Sequence, residues 1–574
     1  MAATRLGLIA SVFLGLGALA PIPAEAATLS GSYLAARQAG YQTDFSAAAE
    51  YYERALFHDK TNPGLLEAVT AARMSLGQID EARGPAEELA TLGHRSQLAQ
   101  MALLAGHAKD GNYTDVISLV EAGKGVGPLV DGLLKSWALL GEGDMTSALV
   151  SFDEVASEKG LAGFANYHKA LALASVGDFE GAEALMSAEG GGAALMTRRG
   201  IMARAEVLSQ LDRNEEALKL LDDSFNTRLD PGLSAMRAAL VAGDRLPFTY
   251  VNAPLDGMAE VFYTIAGALE GEANADYTLL YARIADYLSP GHVDAILLSA
   301  QLLEDLEQYE LAQEAYEAVP EDHPAYHAAM LGRSDALRAS GDADGAIAVL
   351  QDLADTHGDL PIVHVSLGDA LRAEHRHEEA VTAYDTAIDL YGEPGERQWF
   401  VFFARGIAHE RMDQWPQAEA DFRRALELSP DQPQVLNYLG YSLVEKQVKL
   451  DEALDMIKRA VDSRPNSGYI VDSLGWVLYR LGRYEEAVEH MERAAELMPV
   501  DPVVNDHLGD VYWAVGRELE AQFQWHRALS FVDPDDPDGE ADPERIRRKL
   551  EVGLDQVLEE EGAPPLRVSE NGAD

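Results

Sequence analysis

The chain has 574 residues, with 45 basic and 96 acidic side chains and a formal net charge of −51. Phosphate binding needs clustered Lys and Arg, so neither nucleic acid nor an anionic membrane surface is an expected partner. With no cysteine anywhere, disulfides, thiolate metal sites, cysteine nucleophiles and a lipidated cysteine are all excluded, while 47% hydrophobic residues argue against disorder.

The first 26 residues read as an export signal rather than as part of the fold. Arg5 is a minimal basic start, Leu6 to Ala20 is an apolar run, and Ala24-Glu25-Ala26 is a small-residue cleavage site. The run is too short for a membrane span. Cleavage after Ala26 and a periplasmic mature protein are the expectation, with no integral membrane span further on.

From 27 to 228 a repeat is visible, though degenerate. Ala48, Ala82 and Val116 are 34 apart, Ala148 and Ala182 are 34 apart, and Ala217 follows after 35. Tyr52, Phe152 and Leu221 lie four residues beyond their alanines. The phasing fails between 229 and 258: Pro231 to Ala242 suits one helix, but LPFTYVNAPLDG follows with two prolines and no partner helix. This stretch is expected to be a break between two arrays, either a plain linker or a hinge or docking loop.

A second array runs from 259 to 531. Ala312, Ala346 and Ala380 are 34 apart, and so are Ala453, Ala487 and Ala521, and Ala460, Ala494 and Ala528. Between Gly368 and Gly406 the step is 38, placing an insertion in GEPGERQ. In the copy around Gly475, residues Val471, Leu474, Gly475 and Leu478 make one apolar stripe at helical spacing. Ala487, Met491 and Ala494 make the facing stripe of a second helix, and Pro499 ends it. A leucine-glycine pair, an A-x3-Φ-x2-A stretch and a closing proline at a 34-residue period resemble the tetratricopeptide repeat (TPR). The resemblance implies an all-α, TPR-type α-solenoid: a right-handed superhelix of about a dozen helical hairpins, interrupted by the central break. Each hairpin has an open apolar face and must stack on its neighbour.

After the last repeat, 532–574 reads as an acidic linker, a capping helix and a disordered tail from Gly562. DPDDPDGEADPE looks like a calcium loop around Asp538-Gly539, but Pro534 stands at the first ligand position and cannot ligate. Ile546, Leu550, Leu554 and Val557 form a stripe able to cover the end of an array.

Catalytic motifs are missing. His377-Glu378 has Val381 where a second zinc-binding histidine would be needed, and neither G-x-S-x-G nor a P-loop occurs. His323 and His327 are spaced as a metal pair, but Pro324 suits a helix start there. The reading is therefore non-enzymatic, with no cofactor and no metal. Binding has more support. Positions about 100° round from the packing stripe of each first helix carry Asn437 and Tyr441 with Val444, then Asp472, Trp476 and Tyr479, then Asp506, Asp510 and Trp513. In TPR proteins this face lines the groove, and Tyr and Trp beside Asn and Asp suit a protein-binding hot spot. The alternative is that these rings pack between adjacent first helices. The ligand expected is a protein or extended peptide.

The block LNYLGYSLVE…VDSLGWVLYRLGRYEEAVEHMERA…HLGDVYWAVGRELEA is similar to the C-terminal repeats of exported proteobacterial TPR adaptors. That resemblance covers roughly 430–530. It implies a periplasmic adaptor that binds a carboxyl-terminal processing protease and brings it cell-wall hydrolases as substrates. Those adaptors are usually lipoproteins, and this chain has no cysteine to lipidate. An envelope-assembly factor in contact with outer-membrane machinery is the alternative reading.

Overall fold

The computed structural model describes residues 28–188, 196–225, 230–533, 541–563 and 566. The expected export signal, the acidic 534–540 stretch with Asp538-Gly539, and most of the expected disordered tail lie outside the described residues. Among the described residues there are 31 α-helices and no strand. The all-α solenoid reading holds, and no described helix is long and apolar enough to cross a membrane.

Local sequence explains why the helices begin and end where they do. Pro63, Pro128, Pro231, Pro254, Pro361, Pro433, Pro502 and Pro543 each open a helix, where the missing N–H costs nothing and the fixed φ is already helical. Asp44, Ser96, Asp144 and Asp501 accept hydrogen bonds from backbone N–H groups of the turn they precede. Between the two helices of most hairpins sits one residue in the left-handed region. It is glycine at 77, 111, 341, 482 and 516, but Thr43, Asp212, Glu307, His375, Asp413 and Gln447 take the same place. The hairpin crossing is equally specific. A Cβ on Gly475 would lie 2.1 Å from Met491 Sδ, and one on Gly509 2.4 Å from Trp525 Nε1. Only glycine lets those helices approach so closely.

The chain forms two compact units, one up to Val349 and one from Leu350. This division does not coincide with the boundary expected at 229–258. The helix Pro231–Ala242 packs Leu233 and Leu240 into the same cluster as Leu208 and Leu221 of the preceding hairpin. Residues 243–253 then run as a strap tied down along its length. Leu246 N donates to Ser209 Oγ (2.9 Å), while Thr249 donates to Glu206 through both N (2.7 Å) and Oγ1 (2.8 Å). Val251 is buried.

Beyond the strap, the helices Pro254–Leu269 and Ala275–Leu288 pack against the first helices of earlier hairpins, Pro63–Ser75, Gln97–Lys109, Pro128–Gly141 and Ala162–Ser175. Gly257 makes room for this, since a Cβ there would sit 2.3 Å from the Trp137 ring. Residues 257 to 262 are all buried, so this helix is enclosed all round over that stretch, as an interior segment must be. Thr43 Oγ1 donates to Leu306 O (3.0 Å), and Tyr287 OH to Asp80 Oδ1 (2.6 Å). The inner face of the N-terminal repeats is thus filled by later helices of the same unit.

In the second unit, by contrast, the principal contacts of the described helices are with near neighbours in sequence, hairpin after hairpin to Phe531. Two short helices, Pro543–Val552 and Leu554–Glu560, close its end, with Ile546, Leu554 and Val557 buried.

Candidate functional site

The first helices Trp399–Arg411, Pro433–Glu445, Gly468–Arg480 and Pro502–Ala514 lie side by side in the second unit, and a cleft of about 620 Å³ runs across all four. Asn437, Tyr441 and Asp472 line it. Tyr441 is half-buried and Tyr469 exposed, so the cleft presents aromatic surface to solvent. Asn437 and Asp472 are only 8% and 5% exposed. No described residue donates a hydrogen bond to Asn437 Oδ1 or to Asp472 Oδ1. Buried acceptors without donors are uncommon and costly, about 1–3 kcal/mol each.

The other residues expected on this face are used inside the chain. Trp476 is 8% exposed and is held between layers rather than open to a ligand. Its ring stacks on His507 of the next first helix, with centroids 3.9 Å apart and planes 13° apart, and on Tyr479 at 4.8 Å and 13°. Its Nε1 donates to Glu445 of the previous first helix at 2.6 Å. Tyr479 is buried beneath it, and burial, with the Asp510 carboxylate nearby, drives its phenol well above the usual range. Val444 is fully buried. For these rings the packing alternative prevails, because successive first helices stand close enough to stack.

Asp506, Asp510 and Trp513 are engaged by the C-terminal helices. Lys549 Nζ donates to both oxygens of Asp506 (2.9 Å each) and to Asp510 Oδ1 (2.6 Å). Trp513 Nε1 donates to Asp555 Oδ2 (2.9 Å), and Trp525 Nε1 to Asp510 Oδ1 (2.9 Å). Sequence reasoning missed Lys549. Its signal was available, since it stands three residues after Ile546 on the apolar face of a helix otherwise rich in exposed charge. His507 is a second group that was missed. Burial alone would lower its imidazole, but Asp472 at 3.0 Å, with Asp506 and Asp510 nearby, outweighs that and holds it above its usual value.

The first unit holds a buried polar cluster of its own. Glu260 is fully buried and accepts from Tyr167 OH (2.8 Å) and Arg199 Nε (2.8 Å), with His292 Nε2 at 3.2 Å. Burial would raise this carboxyl, but the Arg199 guanidinium and His292 more than offset it and keep it well below the usual range. Arg199 also donates to Asp294 (2.6 Å). Burial pushes Glu206 up to about 7 and His168 down to about 4. The cluster locks the helix Pro254–Leu269 against its neighbours; every strong donor in it already has an acceptor. His323 Nδ1 accepts from Ala325 N (3.1 Å), and His327 Nδ1 lies 3.0 Å from Pro324 O. Among the described residues no group of three His, Asp or Glu side chains is placed to hold a metal ion.

Three stretches match models of the tetratricopeptide repeat: residues 297–361 and 403–468, and residues 471–499. TPR repeats are thus present in the chain. The TPR repeat-containing protein PA4667 of Pseudomonas aeruginosa is 28% identical over 156 residues, which is 27% of this chain and 26% of that protein's length. Among solved structures, the APC/C hetero-tetramer Cut9-Hcn1 overlays at a TM-score of 0.38 and 15% identity, covering 92% of this chain and 97% of that one. YrrB, a TPR protein with an unusual peptide-binding site, overlays at 0.27 and 19% identity over 32% of this chain and 93% of that one.

Proposed function

We propose that this protein is a non-enzymatic scaffold that binds a protein or extended peptide in the cleft across Asn437, Tyr441 and Asp472. The observation that carries this is the pairing of exposed tyrosine surface with buried, unsatisfied acceptors in one open cleft of a TPR array. Aromatic anchors beside desolvated polar groups are the make-up of a binding hot spot, and TPR repeats are a protein-interaction fold. The finer reading follows the resemblance at roughly 430–530: after export to the periplasm, the chain acts as an adaptor that brings cell-wall hydrolases to a carboxyl-terminal processing protease.

The test is capture from a periplasmic extract with the mature chain and with a Tyr441→Ala, Tyr469→Ala double variant, followed by mass spectrometry. Recovery of a processing protease with hydrolases, lost in the variant, supports the adaptor. Recovery of outer-membrane assembly components by both proteins would overturn it in favour of an assembly role. A chain left in the cytoplasm would overturn the export step on its own.

A further inference from the structure

Three of the four repeats that line the cleft place a polar residue at one equivalent position of their first helices: Asn437, Asp472 and Asp506. The chain itself shows what this position takes. At Asp506 it is a lysine, Lys549, bound through both carboxylate oxygens at 2.9 Å. At Asp472 it is a histidine, His507 Nδ1, 3.0 Å from Oδ2. In both cases a nitrogen-bearing side chain reaches in from the next layer. At Asn437 no described group donates to Oδ1, and the residue is only 8% exposed. Asp472 likewise has Oδ1 without a donor.

The cleft above these two oxygens is acidic. Glu410, Asp413, Glu445 and Asp501 line it against Arg411 and Lys446, and Lys446 is drawn onto the Trp415 ring at 4.8 Å. Tyr441 and Tyr469 line the same cleft, and aromatic rings attract cations. Each of these features favours a donor that is also a cation.

Building on the scaffold reading above, we propose that the cleft takes a lysine- or arginine-bearing segment of a protein partner. The ammonium or guanidinium group donates to Asn437 Oδ1 and Asp472 Oδ1, the acidic rim neutralises it, and the tyrosines cover its aliphatic stem. The segment does at Asn437 what Lys549 does at Asp506.

The experiment pans a displayed library of random nine-residue peptides on the full chain and measures the selected peptides by fluorescence anisotropy. Lysine or arginine should be enriched. Replacing that residue by glutamine should weaken binding by about tenfold or more, the worth of a hydrogen bond to a charged group. Asn437→Leu should weaken it to the same extent, and Asn437→Asp should tighten it. The tightening separates the inference from mere misfolding of the leucine variant. Affinity should also fall with added salt. Peptides that lose binding with Tyr441→Ala but carry no basic residue, or ignore both Asn437 variants, would overturn the cation inference and leave the scaffold reading standing. Peptides that ignore Tyr441→Ala as well would sink both.

Discussion

Trp476 decides between a ligand-facing ladder and a packed one, and its removal can be worked through from the geometry. The ring is sandwiched between Tyr479 and His507 and tethered to Glu445. Trp476→Ala empties a buried layer between three first helices, a change that costs about 3–5 kcal/mol. Glu445 is exposed and regains water, so its lost bond adds little. The contrast with Phe is informative: Trp476→Phe keeps part of the stack and loses the N–H donor, about 1 kcal/mol, together with the packing of the second ring, so its cost should lie between that figure and that of alanine. Tyr441→Ala, at a half-buried position lining the cleft, should cost no more than about 1–1.5 kcal/mol in stability while removing peptide binding. The assay is a urea titration followed by far-UV circular dichroism for each variant, beside a binding isotherm. A Trp476→Ala protein within about 1 kcal/mol of the parent, with binding abolished, would refute the packing argument and return the ring to the ligand face.

Three further outcomes are expected. Lys549→Ala strands Asp506 and Asp510 as buried charges and should cost about 3–5 kcal/mol, read as a lower urea midpoint for the second unit. Gly475→Val drives a side chain into Met491 and should cost about 1–3 kcal/mol, checked by melting temperature. Glu206 has its folded pKa raised from 4.5 to about 7. Its contribution is therefore complete below pH 4.5 and lost as pH rises through 7, on the order of 3 kcal/mol. His168, pulled down to about 4, acts in the opposite sense as pH falls below 6.5. Glu206→Gln isolates the carboxyl, and the stability of the parent relative to this variant should fall steadily as pH rises from 4.5 through 7.

The 34-residue phasing made the hairpins legible because each is stabilised by its own crossing: an alanine or glycine on one helix meets a large side chain on the other. The cleft was half legible for a related reason. Helical spacing assigns Asn437, Tyr441 and Trp476 to one face, but it cannot say how far apart successive first helices stand, and that distance decides whether a ring stacks or opens to solvent. The packing of the 229–258 stretch and of the helices after it was not legible because their partners lie far off in sequence. Gly257 faces Trp137, and Tyr287 faces Asp80. Periodicity is blind to such pairs. The near-continuous apolar run from Gly257 to Phe262, broken only by Glu260, was the available hint.

That inward packing changes how the first unit should fold. An open array behaves as a line of coupled segments, nucleating anywhere and propagating outward, and the mainly near-neighbour contacts of the second unit fit that description. In the first unit, Thr43 meets Leu306 across 263 residues of chain, and the stretch 257–262 of the helix Pro254–Leu269, buried on every side, has nothing to cover it until its distant partners exist. Contacts of that range raise contact order and slow folding. They also make truncation all or nothing: a chain ending before Pro254 would leave Trp137, Tyr167 and their neighbours without a cover, so the first unit folds as a closed whole despite being written as repeats.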